Sequence, residues 1–482
     1  MFLSGERRAL TGIILSLCFM LSITACASPE PKDELKLSTP DSQSTDPATA
    51  ADQPAAPAGD AGQTPTQSTL LQGPPAAGLQ APDGAESGPI KIGLLLPLSG
   101  SSADVGQALF EAAQLALFDI GNPRITLLPK DTRGTPEGAA EAADAVLSEG
   151  AEIILGPLFS RSVEPVASRA ETVGVNVVAF SNDRAAARSG VYLMGLFPDA
   201  QIDKAVRHAN RQGLRRFAAL VPDSDYGSRV IGAIEQAVYA FGGELVQVER
   251  FPANAQPGDD SLTESVKRLA DYDRRHNELL EHRKELEARD DELSKKALKR
   301  LQGIDAYGDL EFDAVVLADG GSRLRSLAPL LPFYDVDTQK VPLIGTVLWD
   351  DPSLTNEPAL NGALFAAPGP AGRAAFRDRF QATYQRRPPR VASLAYDAIA
   401  LVGALVADRE AAADGTVQPL ITQAPLFDSA ALSDDAGFAG YDGIFRLRPD
   451  GTVERGLAVL QITANGFRVV EPAPTDFDAL TN

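Results

Sequence analysis

From residue 90 onward the chain alternates short, nearly continuous apolar runs with longer segments of helical period, and this restricts the fold more than any other feature. "IKIGLLL" (90–96) is apolar almost throughout, and Pro97 and Gly100 punctuate its end. Runs without polar alternation are strands buried on both faces, the habit of parallel sheets. "SADVGQALFEAAQLALFDI" then places Val105, Leu109, Ala112 or Ala113, Ala116 and Ile120 on one helical face. The pattern repeats through "RITLLPKD", "PEGAAEAADAVLSEG", "AEIILGPL", "SRSVEPVASRAETVG" and "VNVVAFSND", with Pro165 expected to bend or break the third helix. A second series follows 199, and helices are expected near 371–386 and 390–408. Helices of about 15 residues between short strands specify a doubly wound α/β layer. "GIFRLRPDGTVERG" carries Pro-Asp-Gly between two alternating runs, a β-hairpin signature.

The N-terminus is of another kind. Arg7 and Arg8 precede an apolar run from Leu10 to about Ile23, shorter than the roughly 20 residues that span a bilayer. This is the layout of a secretory signal. Ile23-Thr24-Ala25-Cys26 resembles the bacterial lipobox, which implies a signal peptide over 1–25 and lipidation of Cys26. A plain signal cut at a small-residue site is the alternative. With Cys18 removed and Cys26 acylated, no thiol remains for a disulfide, a metal or nucleophilic catalysis. Ala27 rather than Asp after the cysteine implies, by the sorting habit of lipoproteins, the outer membrane, with the body in the periplasm.

The segment 26–89 is rich in Pro, Ala, Gly, Ser, Thr, Gln and Asp and nearly free of aromatics. It buries too little apolar surface to offset its ordering entropy, so the composition predicts a disordered tether. About sixty residues of such coil have a root-mean-square span of roughly 45 Å.

Residues 259–302 interrupt the second series with twelve acids and eleven bases. Tyr272, Leu279, Leu286 and Leu293 recur every seven residues, but the intervening seam positions His276, Arg283, Asp290 and Ala297 are mostly polar. A coiled-coil dimer wants both seam positions apolar. Two readings stay open: a solvated helix or helical hairpin protruding from the second lobe with little part in the core, or a partner-docking arm.

A net charge of −21 argues against nucleic acid and against a folded face pressed onto anionic lipid. Only three histidines occur, which makes a histidine metal site or a Ser-His-Asp triad hard to build. G-x-S-x-G, Walker A and H-E-x-x-H are absent from the sequence. The sequence therefore points to no enzyme and calls for no cofactor or metal.

"IKIGLLLPLSGSSADVGQALFEAAQLALFDI", "AEIILGPLFSRSVEPVASRAETVGVNVVAFSND" and "RFAALVPDSDYGSRVIGAIEQAVYAFGGELV" resemble the type I periplasmic binding proteins, the leucine-binding-protein superfamily. The resemblance covers roughly 90–472 and implies an α/β fold of two lobes joined by three crossovers, with a ligand cleft between them. The expected boundaries are 90–198 and 344–439 for lobe one, 199–343 and 440–472 for lobe two, and 473–482 for a tail. Within that superfamily, "GPLFSRSV", "VPLIGTVLWDD", the lipobox and the tether look like the lipoproteins known as penicillin-binding-protein activators. That implies a peptidoglycan synthase as partner. The wider superfamily implies instead a receptor that takes an amino-acid-like ligand to an ABC-type permease.

Ligands of open α/β sheets lie beyond the carboxyl ends of the strands. Those ends offer Ser99 to Ser102 (with Ser101), Gly156 to Ser160, Ser181 and Asn182 to Asp183, Asp223 to Gly227, Asp319 to Ser322 and Thr346 to Asp350. By the resemblance, Ser160 and Ser181 would hold a ligand carboxylate, Tyr226 would close over it and Asp319 would face an ammonium. Ser, Asp and Gly at strand ends are equally ordinary helix N-caps. Trp349, the only tryptophan, either lines the cleft or packs the hinge. Arg161 and Arg184 either clamp an anion or are surface charge.

Overall fold

The computed structural model describes residues 88–289, 291–413 and 425–477. The signal segment 1–25, Cys26, the tether up to residue 87 and the last five residues of the expected tail lie outside the described residues.

The first sheet is wholly parallel. Its chain order is β1 (Ile90–Leu96), α1 (Ala103–Ile120), β2 (Ile125–Asp131), α2 (Pro136–Ser148), β3 (Ile153–Leu155), α3 (Val163–Thr172), β4 (Asn176–Ala179) and β5 (Val191–Leu193), with spatial order β2-β1-β3-β4-β5. Ile92 and Leu94 to Leu96 are fully buried, as the unbroken apolar run requires. Ala108, Ala112, Ala113 and Ala116 form a fully buried face of small side chains on α1. Thr135 caps α2 by accepting from the Gly138 N–H at 3.0 Å, and Pro136 opens the helix where no N–H is needed. Pro165 does not break α3, because it falls in the first turn, whose N–H groups have no intrahelical partner.

The second series is α4 (Pro198–Arg211), β6 (Arg216–Asp223), α5 (Asp225–Ala240), β7 (Glu244–Pro252), α6 (Asp260–Leu269), α7 (Tyr272–Glu287), α8 (Glu292–Leu301), β8 (Ala314–Leu317), α9 (Gly321–Phe333), β9 (Leu343–Gly345) and β10 (Leu364–Ala367). The chain continues through α10 (Pro370–Tyr384), α11 (Ala392–Ala413), α12 (Ser429–Leu432), β11 (Phe438–Gly440), β12 (Gly443–Leu447), β13 (Val453–Arg455), β14 (Ala458–Thr463) and β15 (Gly466–Glu471). The second sheet runs β15-β14-β10-β9-β8-β6-β7, parallel except for the β14 and β15 pairings. β11, β12 and β13 form a small antiparallel sheet. The expected hairpin is its β12–β13 turn, where Arg448 N donates to Thr452 O at 2.7 Å and Gly451 takes φ +84°.

The chain passes between the two layers three times, at 194–197, 368–369 and 456–457. The lobe boundaries therefore differ from those expected. β9 and β10 belong to the second sheet, whereas α10 and α11 return to the first lobe, α11 packing along α1. Residues 440–455 stay beside the first sheet, where the Leu193 N–H donates to Gly451 O at 2.8 Å. Strands of three or four fully buried residues carry no alternation to say which sheet they join. The crossover falls instead at Pro368-Gly369-Pro370.

The charged insertion divides. α6 is a core helix, with Leu262, Val266 and Leu269 buried between β7 and α9. This corrects the expectation that 259–302 adds little to the core. α7 and α8 form a helical hairpin. Leu279 and Leu286 are buried but Leu293 is 79 % exposed, because the turn between the helices breaks the seven-residue register. Arg275 roots the hairpin, donating to Asp335 (2.6 Å) and to the Gly308 carbonyl (2.7 Å).

Candidate functional site

The candidate residues lie on loops that leave the carboxyl ends of the strands of both sheets. On the first-lobe side, Asp131 organises the loop after β1, accepting from Leu98 N at 2.8 Å, Ser99 N at 3.2 Å and Arg133 N at 2.8 Å. Burial opposes its charge, but these bonds and the Ser99 hydroxyl hold its carboxyl below the ordinary range. Ser99, Ser101, Ser160 and Asn182 are exposed. Ser181 is buried, and its hydroxyl accepts from Asp183 N at 3.1 Å, closing a turn. Arg161 donates to the Gly134 carbonyl at 2.9 Å.

On the second-lobe side the groups meet one another. The Tyr226 hydroxyl is 2.9 Å from Thr346 Oγ1. Burial pushes the phenol up to about 12, so it is neutral over the ordinary pH range. The Asp319 carboxylate is paired with Arg323, one turn on in α9, and also accepts from Gly320 N at 2.7 Å. The same arginine donates to the Ala253 carbonyl at 2.8 Å. Trp349 is fully buried, with its indole N–H donating to the Asp319 backbone carbonyl at 2.8 Å. Its ring lies where a Cβ on Gly345 would stand, 2.1 Å from that position, so residue 345 must be glycine. Of the two readings of this tryptophan, the structure favours packing.

The lobes are also linked across the cleft. Asp183 of the first lobe is 3.7 Å from Arg229 on α5, and Arg184 pairs with Asp199 on α4 at 2.5 Å while stacking over Phe197. Arg184 is thus a lobe-to-lobe contact rather than free surface charge. Gln201 accepts from Val347 N (2.7 Å) and donates to the Leu196 carbonyl (3.0 Å), tying the first crossover to the loop after β9.

Below the cleft, where the three crossovers meet, lies a buried ionic cluster that sequence reasoning missed. Asp350 is 2.9 Å from Arg390 and 3.6 Å from Arg373. Arg390 reaches Asp442 at 3.0 Å, and Ser393 donates to the same carboxylate at 2.9 Å. Asp397 accepts from Tyr441 N (2.8 Å) and Asp442 N (3.1 Å). Arg455 donates to the Met194 carbonyl at 2.8 Å and borders a cavity of about 20 Å³ lined by Leu196, Phe197 and Leu457, room for one water. Burial and the neighbouring Asp442 push Asp397 well above the carboxylate range. One signal was legible: Asp397 is the single charge in "ASLAYDAIALVGALV".

A second hollow, beside Arg184, is a polar groove of about 280 Å³ between α4 and α5, bordered by Asp199, Asp203 and Gln236. Among the described residues, no three His, Cys, Asp or Glu side chains gather as a metal site, and no helix is long and apolar enough to cross a membrane.

Comparison with known proteins agrees with this architecture. Residues 89–272 match the periplasmic binding protein family. A penicillin-binding protein activator, LpoA, of Pasteurella multocida is 29 % identical over 150 residues, which cover 30 % of this chain and 24 % of that protein. The chain spans less than half the length of the curated relatives it matches. Among solved structures, an ABC transporter substrate-binding protein from Sphaerobacter thermophilus superposes with a TM-score of 0.58 at 20 % identity, covering 80 % of this chain and 98 % of that one. A solute binding protein from R. palustris in complex with benzoate gives 0.54 at 17 %, covering 81 % and 98 %. Residues 89–272 thus resemble the periplasmic binding protein family in sequence, and the two sheets share the fold of the type I periplasmic binding proteins.

Proposed function

We propose that this chain is a non-enzymatic envelope lipoprotein, anchored through Cys26 at the outer membrane, that activates a peptidoglycan synthase of the penicillin-binding-protein class. The observation that carries the reading is the pairing of Asp319 with Arg323. A receptor for an amino acid keeps a carboxylate free for the ligand's ammonium, because an unpaired buried charge is costly until the ligand arrives. Here that place is filled from within, Tyr226 is bonded to Thr346, and Asp183–Arg229 and Arg184–Asp199 bridge the lobes. A domain closed on its own side chains suits a protein that acts through its surface. Relatives named as penicillin-binding protein activators support the same reading.

The second reading is a solute receptor for an ABC-type permease, favoured by structural neighbours such as the benzoate-bound R. palustris protein. In it, Ser160, Ser181, Asn182, Ser99 and Ser101 would receive the ligand from the first lobe. The two readings separate in a thermal-shift screen of amino acids, aromatic acids and cell-wall fragments against the purified mature chain. A receptor gains stability with the logarithm of ligand excess over Kd. The activator reading expects no such shift from free amino or aromatic acids.

A further inference from the structure

We infer that the outward face of α8 is the surface by which this protein docks on an acidic patch of its protein partner. The inference rests on the activator reading and adds to it the place of contact. Within a chain of 65 acids and 44 bases, the ten residues of α8 hold four cations, Lys295, Lys296, Lys299 and Arg300, against one acid, Glu292. Most arginines and lysines of the domain are matched to the plentiful acids around them. Among the described residues, Lys296, Lys299 and Arg300 take part in no ion pair, and all three are exposed. They are turned outward because Ser294, Ala297, Leu298 and Leu301 occupy the inner side of the helix.

The helix is held firmly enough to present a defined surface. Arg283 of α7 donates to the carbonyls of Leu301 and Ile304 at 2.6 and 2.8 Å, fixing the C-terminal end of α8. Asp291 caps its start, accepting from Ser294 N at 2.8 Å. The root is locked by the Arg275–Asp335 pair and by Tyr272, which stacks on His276 and meets Tyr334 edge to face. Exposed apolar groups lie on the same arm and at its root. Leu293 is 79 % exposed at the start of α8, Leu280 stands out from α7, and Ile304, Tyr307 and Phe333 are exposed near the root. Tyr, Phe and Arg are enriched at the centres of protein interfaces, and lysines at the rim steer the approach of an oppositely charged partner.

Charge selects the occupant. An anionic membrane is disfavoured because Glu287, Asp291 and Glu292 ring the tip of the hairpin and would meet the lipid first. On α8 itself, Leu293 is the one strongly exposed large apolar side chain, and an interfacial helix buries a whole apolar face. The acidic body of the domain is repelled by a generally acidic partner, so the basic face sets both the register and the approach.

The test uses the purified mature chain and a purified peptidoglycan synthase from the same source, with affinity measured at low and high salt. Lys296→Glu/Lys299→Glu/Arg300→Glu should weaken binding by about tenfold or more and flatten its salt dependence. Lys340→Glu, a reversal of another exposed lysine, should leave binding unchanged. The milder Lys296→Gln/Lys299→Gln/Arg300→Gln replaces the triple reversal if that variant melts early. Unchanged affinity in the α8 variants overturns the docking face and leaves the activator reading standing. Absence of binding by the wild-type chain overturns both. Retained synthase binding with lost binding to phosphatidylglycerol vesicles makes α8 a lipid-facing element and overturns the proposal.

Discussion

Trp349 donates its indole N–H to the backbone carbonyl of Asp319 at 2.8 Å, while the carboxylate of that aspartate is held by Arg323. Asp319, expected to face a ligand's ammonium, and Trp349, expected either to line the cleft or to pack the hinge, are thus engaged with each other and with α9. The corner between β8 and α9 and the loop after β9 are locked into one unit.

Breaking that lock should cost folding stability rather than ligand affinity. Trp349→Phe keeps most of the ring but leaves a buried carbonyl unpaired, a loss of about 1–3 kcal/mol. Trp349→Ala adds a cavity and should cost about 3–5 kcal/mol. Chemical denaturation reads both, and a change within error for Trp349→Ala would show that the contact is idle.

Glu471 at the end of β15 accepts from Lys204 at 2.6 Å and His208 at 2.8 Å and also pairs with Arg211, all on α4. Burial works against its charge, but hydrogen bonds from Lys204 and His208 and the charges of Lys204 and Arg211 hold its carboxyl down to about 2, against an ordinary 4.5. Its folded pKa is depressed, so its stabilisation is complete above about 4.5 and is lost as pH falls from there toward 2. Glu471→Gln should be less stable at neutral pH, and its stability should fall less steeply in acid. Parallel stability curves for both proteins between pH 5 and 3 would contradict this.

The hairpin can be cut without the helix before it. His276 Nδ1 is 2.6 Å from the Asp305 carbonyl, so its two feet stand together. Replacing 277–304 by a short Gly-Ser link should leave cooperative unfolding, with Tm lowered by a few degrees. Replacing 259–302 also removes Leu262, Val266 and Leu269 from the core and should abolish soluble expression. Equal behaviour of the two deletions would refute the division between α6 and the hairpin.

The order of elements was legible because continuous apolar runs and 3.6-residue periods are local signals. Pairing was less so. β9 and β10 are short and buried on every side, and nothing in "LIG" or "LFAA" says which sheet they join. Positions of the candidate loops followed from strand ends, but their bonding partners did not. Arg323 stands four residues after Asp319 and was open to reading as an i,i+4 pair. Arg229, Thr346 and the Asp350–Arg390–Asp442 cluster are brought together from distant segments, and no local pattern announces them.

The anchor is tested at Cys26. Cys26→Ser should lose incorporation of a fatty-acid analogue and leave the chain unprocessed or released into the soluble fraction. Equal labelling of wild type and variant would remove the lipidation reading.

The most direct measurement is glycan-strand synthesis by a purified penicillin-binding protein, titrated with the soluble mature chain lacking its lipid. The account predicts a rate that rises and saturates with added chain, unaffected by Ser160→Ala with Ser181→Ala, whose side chains belong to the alternative receptor site. A flat titration, together with thermal stabilisation by an amino or aromatic acid that the same double substitution abolishes, would contradict it and make the chain a solute receptor.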